Sequence, residues 1–231
     1  MNALEAVDLH VSLSGSHILQ GVDLLVESGG VTALLGRNGV GKTTTLRALM
    51  GLVPRTGHVE ILGHDADGLA THRVVQLGVG YVPEDRDVFA GLSVAENLRL
   101  AEQRREPDYD QVFALFPELE ERRRQRAGTL SGGQQQMLSI GRVLLNRWPL
   151  LLVDEPSKGL APKIVSELAD TLERVASVST ILLVEQNLAL VRRLAAHVVV
   201  LDHGIVVHQG PVSDLDDAAL TRRHLGVAGA R

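Results

Sequence analysis

Apolar residues fall into two textures along the chain, and the change from one to the other predicts its architecture. Val7, Leu9, Val11 and Leu13 alternate with polar neighbours, and Val22, Leu24 and Val26 alternate again after a turn near Ser14-Gly15-Ser16. Period-two alternation of this kind predicts strands with one buried face. Beyond Ser28-Gly29-Gly30, the run Val31-Thr32-Ala33-Leu34-Leu35 is almost continuously apolar, as expected of a strand buried on both faces. A glycine-rich loop follows, then a stretch with Leu46, Leu49 and Met50 on one helical face.

Between about residues 86 and 147 the period becomes 3.6. Ser93-Val94-Ala95-Glu96 has the form of a capping box, opening a helix with Val94, Leu98 and Ala101 on its inner side. Tyr109, Val112, Phe113 and Phe116 follow i, i+3, i+4, i+7 spacing, and Pro117 is expected to stop that segment. From Leu150 the α/β texture returns, with apolar strands at 150–153, 180–184 and 198–201 separated by amphipathic stretches such as Ile164, Leu168, Leu172 and Val175. The pattern predicts a single α/β domain over 1–231. Its core comes from about 1–85 and 148–231, with an antiparallel β portion at the N-terminus, and a helical lobe is inserted at 86–147.

Composition narrows the class. With 45% hydrophobic and 22% charged residues the chain is of ordinary soluble type. Its longest apolar run, about 148–153, falls far short of the roughly 20 residues needed to cross a bilayer. Residues Met1–Asp8 lack the basic-then-apolar pattern of a secretory signal, and the absence of cysteine excludes disulfides and thiolate metal sites. A net charge of −5 gives no long-range attraction to nucleic acid. Arg122-Arg123-Arg124 adjoins Glu118, Glu120 and Glu121 and reads as a solvated helical face. The nine histidines show no metal-ligand spacing, and Trp148 reads as a packing anchor at the lobe junction.

Two motifs carry phosphate chemistry. Gly36-Arg37-Asn38-Gly39-Val40-Gly41-Lys42-Thr43, followed by Thr44, matches G-x-x-x-x-G-K-[ST] between a predicted strand and a predicted helix. Glycines let successive N–H groups turn inward onto phosphate oxygens, and the helix N-terminus adds its positive dipole end. Lys42 is placed to reach the β/γ-phosphates and the Thr43 hydroxyl to ligate Mg²⁺. The apolar strand Leu150–Val153 ends in Asp154-Glu155. There Asp154 is expected in the Mg²⁺ shell and Glu155 as general base for the attacking water.

A third motif separates the nucleotide-hydrolysing classes. Leu130-Ser131-Gly132-Gly133-Gln134 precedes a predicted helix bearing Met137, Leu138, Gly141, Leu144 and Leu145, and here the sequence resembles the ATP-binding-cassette ATPases, whose signature is LSGGQ. The resemblance implies a phosphate-loop fold and ATP with Mg²⁺ as cofactors. It also implies that this loop grips ATP bound to the opposite subunit of a pair. Val82-Pro83-Glu84-Asp85-Arg86, Ser157-Lys158-Gly159-Leu160-Ala161-Pro162 and Val184-Glu185-Gln186-Asn187 look like variants of the second ATPase subunit of branched-chain (hydrophobic) amino-acid uptake transporters. Phe116-Pro117, Arg126-Ala127-Gly128 and His224-Leu225-Gly226 fit the same subgroup. By this resemblance Glu84 stands where most cassettes have a metal-sensing Gln, Gln186 where most have a switch His contacting the γ-phosphate, and Ala161 where Asp is common. Ser14-Gly15 replaces the subgroup's Tyr-Gly, removing the ring on which adenine stacks, so weak base discrimination is expected unless His17 or another residue substitutes.

The resemblance further implies two membrane-spanning permease subunits, a sister ATPase or a second copy of this chain, an external substrate-binding protein, and work at the cytoplasmic face of the cell membrane, with no nucleic-acid partner. A closely similar importer of urea or short amides is the alternative within the same chemistry. A soluble cassette acting on DNA or ribosomes and a non-catalytic nucleotide-regulated scaffold are the alternatives outside it.

Overall fold

The computed structural model describes residues 1–103 and 106–226; residues 227–231, counted with the core above, lie outside the described residues. Its centre is a six-stranded sheet built from β3 (Val31–Leu35), β6 (Val79–Val82), β7 (Leu150–Asp154), β8 (Thr180–Val184), β9 (His197–Asp202) and β10 (Ile205–Pro211). The strand order is β10-β9-β3-β8-β7-β6, parallel except for the β9–β10 hairpin. Each apolar run is buried on both faces, and strand alternation sorts its side chains between two cores. Ala33, Leu151, Val153, Ile181, Leu183 and Val200 join one core; Leu34, Leu150, Leu152, Leu182, Val184 and Leu201 join the other.

The second core lies beneath a four-stranded antiparallel sheet of order β2-β1-β4-β5, from β1 (Asn2–Leu13), β2 (Ser16–Glu27), β4 (Thr56–Ile61) and β5 (His64–Asp65). Its inward positions Leu4, Leu9, Val22, Leu24, Val59 and Ile61 are all but fully buried, and α1 (Lys42–Leu49) is packed between the sheets through Leu46 and Leu49. The antiparallel portion draws all its strands from the N-terminal part of the chain, two of them before the phosphate loop and two after it. Short α2 (Thr71–Gln76) leads into β6.

Between β6 and β7 lie the helices α3 (Val94–Leu100), α4 (Tyr109–Leu115), α5 (Pro117–Glu121) and α6 (Gly132–Leu144), with a 3-10 turn at Ala127–Thr129 and an isolated antiparallel bridge between Ser93 and Arg126. The capping box at α3 is present, with Glu96 N–H donating to Ser93 Oγ at 3.2 Å and Ser93 N–H to Glu96 Oε2 at 2.7 Å. Pro117 separates two helices as expected, yet it also opens α5 as its first residue, where a missing N–H costs nothing. Trp148 donates from Nε1 to Val143 O at 2.9 Å and lies against Gly80, where a Cβ would fall 2.3 Å from the indole. The chain continues through α7 (Pro162–Ala176), α8 (Leu188–Leu194) and, after β10, a short α9 (Ala218–Leu220). No helix among the described residues is long and apolar enough to cross a membrane.

Candidate functional site

The loop from Gly36 to Gly41 joins β3 to α1, so its backbone lies at the C-terminal edge of the parallel sheet. Gly36 has φ +151°, and a Cβ there would sit 2.3 Å from Leu201 O on β9; Gly41 has φ +113°, and a Cβ would sit 2.7 Å from Leu19 Cδ2 on β2. Only glycine lets the loop curl so close to both neighbours. Lys42, 5% exposed, donates from Nζ to Gly36 O at 3.0 Å and Arg37 O at 3.1 Å, and stands 3.3 Å from Glu155 Oε1. Asn38, Gly39, Lys42, Thr43 and Thr44 line one open cleft together with Glu84 and Glu155, while Val40 turns inward to the core.

Strand β7 is two places from β3, with β8 between them. Its end nevertheless meets the loop, because Thr43 Oγ1 donates to Asp154 Oδ1 at 3.2 Å. Asp154 is fully buried, and its other oxygen, Oδ2, has no partner among the described residues. Burial pushes its carboxyl up to about 6; the Thr43 hydrogen bond works against that rise, and the nearby Glu84 and Glu155 charges add to it. An orphaned carboxylate oxygen beside a hydroxyl is a hard-oxygen donor pair that fits Mg²⁺, which takes one or two protein oxygens and completes its shell with phosphate and water.

The end of β8 supplies the third side. Gln186 donates from Nε2 to Glu155 Oε1 and to Asn38 Oδ1, both at 2.5 Å. Glu155 has φ +42°, a left-handed conformation uncommon for a non-glycine residue, and its N–H is held by Val184 O at 2.9 Å. Glu185, 2% exposed, accepts from the N–H groups of Ser157 at 3.0 Å, Gln186 at 2.8 Å and Asn187 at 2.9 Å. The sequence pattern had assigned Glu185 no role; the only signal was a carboxylate just past an apolar strand. Glu84, in the loop after β6, is paired with Lys158.

Leu130, Ser131, Gly132, Gly133 and Gln134 lie elsewhere, at the start of α6, and none lines the cleft of the phosphate loop. Ser131 caps α6, its Oγ accepting from Gln134 N–H at 3.3 Å and its N–H donating to Gln134 Oε1 at 3.0 Å. The glycines also have packing reasons, since a Cβ at Gly133 would be 3.1 Å from Ile164 of α7. Leu130 is buried while Ser131 is exposed. Ser14 and Gly15 form the exposed β1–β2 turn, and His17 is tied through Nδ1 to Ser12 Oγ at 3.0 Å, so Ile18 is the side chain that lines the cleft at this side. Among the described residues one group of three possible metal ligands comes together, His58, Asp65 and Asp67, at the β4–β5 hairpin and the residues just after it. There Asp67 also accepts from Val59 N–H and Arg55, which makes the group a brace for the hairpin.

A glycine-rich loop, a buried acid beside its threonine and a second acid against its lysine have the arrangement that nucleotide hydrolysis requires. A family model described as ABC transporter matches residues 19–158. BraG of Pseudomonas aeruginosa, a high-affinity branched-chain amino acid transport ATP-binding protein, is 39% identical over 216 residues, covering 90% of this chain and 93% of its own length. LivF of Archaeoglobus fulgidus, a probable branched-chain amino acid transport ATP-binding protein, is 34% identical over 220 residues, covering 92% and 93%. A solved structure of an ATP-binding subunit of an ABC transporter matches with TM-score 0.81 at 29% identity, over 99% of this chain and 95% of that one. The chain belongs to the ABC transporter family, as an ATP-binding subunit with ATPase activity.

Proposed function

We propose that the chain powers an importer of branched-chain or other hydrophobic amino acids from the cytoplasmic face of the cell membrane. The substrate class is supported by the likeness to BraG and LivF, both named for branched-chain amino acid transport. The observation that carries the catalytic reading is the convergence of Lys42, Glu155 and Gln186 on one point, with contacts of 3.3 and 2.5 Å. Backbone N–H groups from Gly36 to Thr44 receive the phosphates, and Lys42 exchanges its bonds to Gly36 O and Arg37 O for β/γ-phosphate oxygens. Thr43 and the free oxygen of Asp154 hold Mg²⁺, with Glu84 at its outer edge; bound there, the ion neutralises phosphate charge. Glu155 accepts the proton of the attacking water, and Gln186 orients Glu155 and contacts the γ-phosphate.

Leu130–Gln134 serves the ATP of an opposite cassette, a reading supported by its absence from its own chain's phosphate cleft. Two cassettes, either two copies or this chain with a sister ATPase, then close on two ATP molecules and reopen after hydrolysis. Residues 86–147 act as a lobe that carries this motion to two permease subunits, which receive solute from an external binding protein. Docking near Glu84 is supported by the exposed Leu52 and Leu100, 50% and 60% accessible, on a groove shared with Pro83 and Trp148.

The test is the mass of Glu155→Gln by light scattering with and without Mg-ATP, since blocking hydrolysis traps a closed pair. Doubling supports a pair of identical chains, and a monomer that binds ATP points to a sister cassette. Failure of the parent to bind Mg-ATP overturns the reading.

A further inference from the structure

The cleft beside the phosphate loop contains a cation with no part in the reading above. Lys158, three residues past Glu155 and 60% exposed, pairs through Nζ with Glu84, and the same ammonium stands 3.9 Å from Glu155 Oε2. It therefore ties the loop after β6 to the loop after β7, and both Lys158 and Glu84 line the cleft with Lys42 and Thr43. Glu84, Asp154 and Glu155 bring three carboxylates to this place, and Asp85 adds its field at Lys158. The positive charge of Arg47 also acts on Asp154. Of the two ammonium groups, Lys42 is buried and bonded to loop carbonyls, whereas Lys158 is bound only to the carboxylates.

The resemblance to the cassette ATPases implies a neutral Gln at the position of Glu84 in most members. A carboxylate there adds negative charge to a cleft that must admit a polyanionic triphosphate, and a cation in contact with it cancels that charge. Until a divalent ion arrives, Lys158 is the group on the solvent side that does so.

We propose that Lys158 is a positioning residue for the metal half of the nucleotide site. Its ammonium holds Glu84 and Glu155 in the nucleotide-free chain, supplies the compensating charge that Mg²⁺ later supplies, and leaves Glu84 when Mg-ATP binds. Glu84 and Lys158 then form one functional unit in place of a neutral side chain, and Lys158 competes with the ion for the same carboxylate. The inference rests on the Mg-ATP site proposed above and concerns how the cleft is prepared for it.

The experiment is equilibrium binding of a fluorescent ATP analogue to the full chain, followed by anisotropy in EDTA and across a Mg²⁺ titration. It compares the parent with Lys158→Met, Glu84→Gln, the double variant and Lys158→Arg. Lys158→Met should weaken metal-free binding about fivefold, the scale of one partly exposed charge contact. It should also lower the Mg²⁺ needed for half-saturation by a similar factor. Glu84→Gln should raise that Mg²⁺ requirement, the double variant should match Glu84→Gln to within about twofold because Lys158 then has no Glu84 carboxylate to compete for, and Lys158→Arg should keep the parent's curve. A Mg²⁺ curve for Lys158→Met that superimposes on the parent's, or strictly additive effects in the double variant, overturns the inference while leaving the site reading intact. A parent that binds no nucleotide overturns both.

Discussion

Gln186 and Glu155 are joined by a 2.5 Å hydrogen bond, amide donor to carboxylate acceptor, at the end of adjacent strands β8 and β7. An amide can hold the carboxylate in place but has no proton to gain or lose between pH 5 and 9. At saturating Mg-ATP, kcat should therefore show no ionisation near pH 6.5 traceable to this position, and Gln186→His should introduce one. Steady-state hydrolysis from pH 5.5 to 8.5 decides the matter: an ionisation in the parent that disappears in Gln186→Ala would count against the assignment.

Asp154 predicts a pH effect on metal binding instead. Its carboxyl is raised to about 6 by burial, so below that pH it is protonated and must lose a proton to ligate Mg²⁺. Half-saturating Mg²⁺ for nucleotide binding should rise about tenfold per pH unit below about 6, a trend that binding titrations at fixed nucleotide can follow.

The same raised value sets the sign of a stability effect. A carboxyl that binds its proton more tightly folded than unfolded favours the folded chain at low pH, and that contribution is lost as pH rises through about 6. Asp154→Asn removes the buried charge and retains an acceptor for Thr43. In the nucleotide-free chain at pH 8 it should raise the melting temperature by about 2–4 °C per kcal/mol gained, while abolishing Mg²⁺-dependent nucleotide binding. A lower melting temperature, measured by calorimetry, would refute this.

Much of this architecture was readable from periodicity. The buried runs 31–35, 150–154 and 180–184 became the parallel strands around the site, and the change to a 3.6 period marked the helical segment. The strands β4, β5 and β6 were not readable. Thr56–Ile61 is interrupted by Gly57 and His58, and Val79–Val82 contains Gly80, which is glycine because Trp148, 68 positions along the chain, occupies the space of a Cβ. The site divides in the same way. Lys42, Thr43, Asp154 and Glu155 announce themselves by local spacing, whereas the contacts of Glu185 with Ser157 and of Lys158 with Glu84 join segments far apart in sequence.

The Ser14 position bears on base recognition. With Ile18 in place of an aromatic ring at the cleft, ATP and GTP should bind within a few-fold of each other. Ser14→Tyr should favour ATP by up to about tenfold, within the range of one stacking contact, although Ser14 has φ +50° and part of the gain will be offset by backbone strain. Competition binding of the two nucleotides to both proteins checks this, and unchanged affinity and preference would remove the stacking account.

Gly36 offers a test of the loop itself. Gly36→Ala places a methyl group against Leu201 O, and the chain should lose about 1–3 kcal/mol in urea unfolding. Nucleotide binding should fall with it as the loop is forced off β9. Stability equal to the parent's would mean that the loop has a second conformation in reserve.

Because the carboxylate of Glu185 accepts N–H groups from both Ser157 and Gln186, the two loops flanking the cleft share a single pivot. One arm carries Gln186 to Glu155 and Asn38, and the other runs through Ala161 into α7, where Ile164 lies against Gly133 of α6. The end of β8 and the segment leading to α7 are thus tied to one buried carboxylate, so neither can shift without carrying or breaking its hydrogen bond to Glu185.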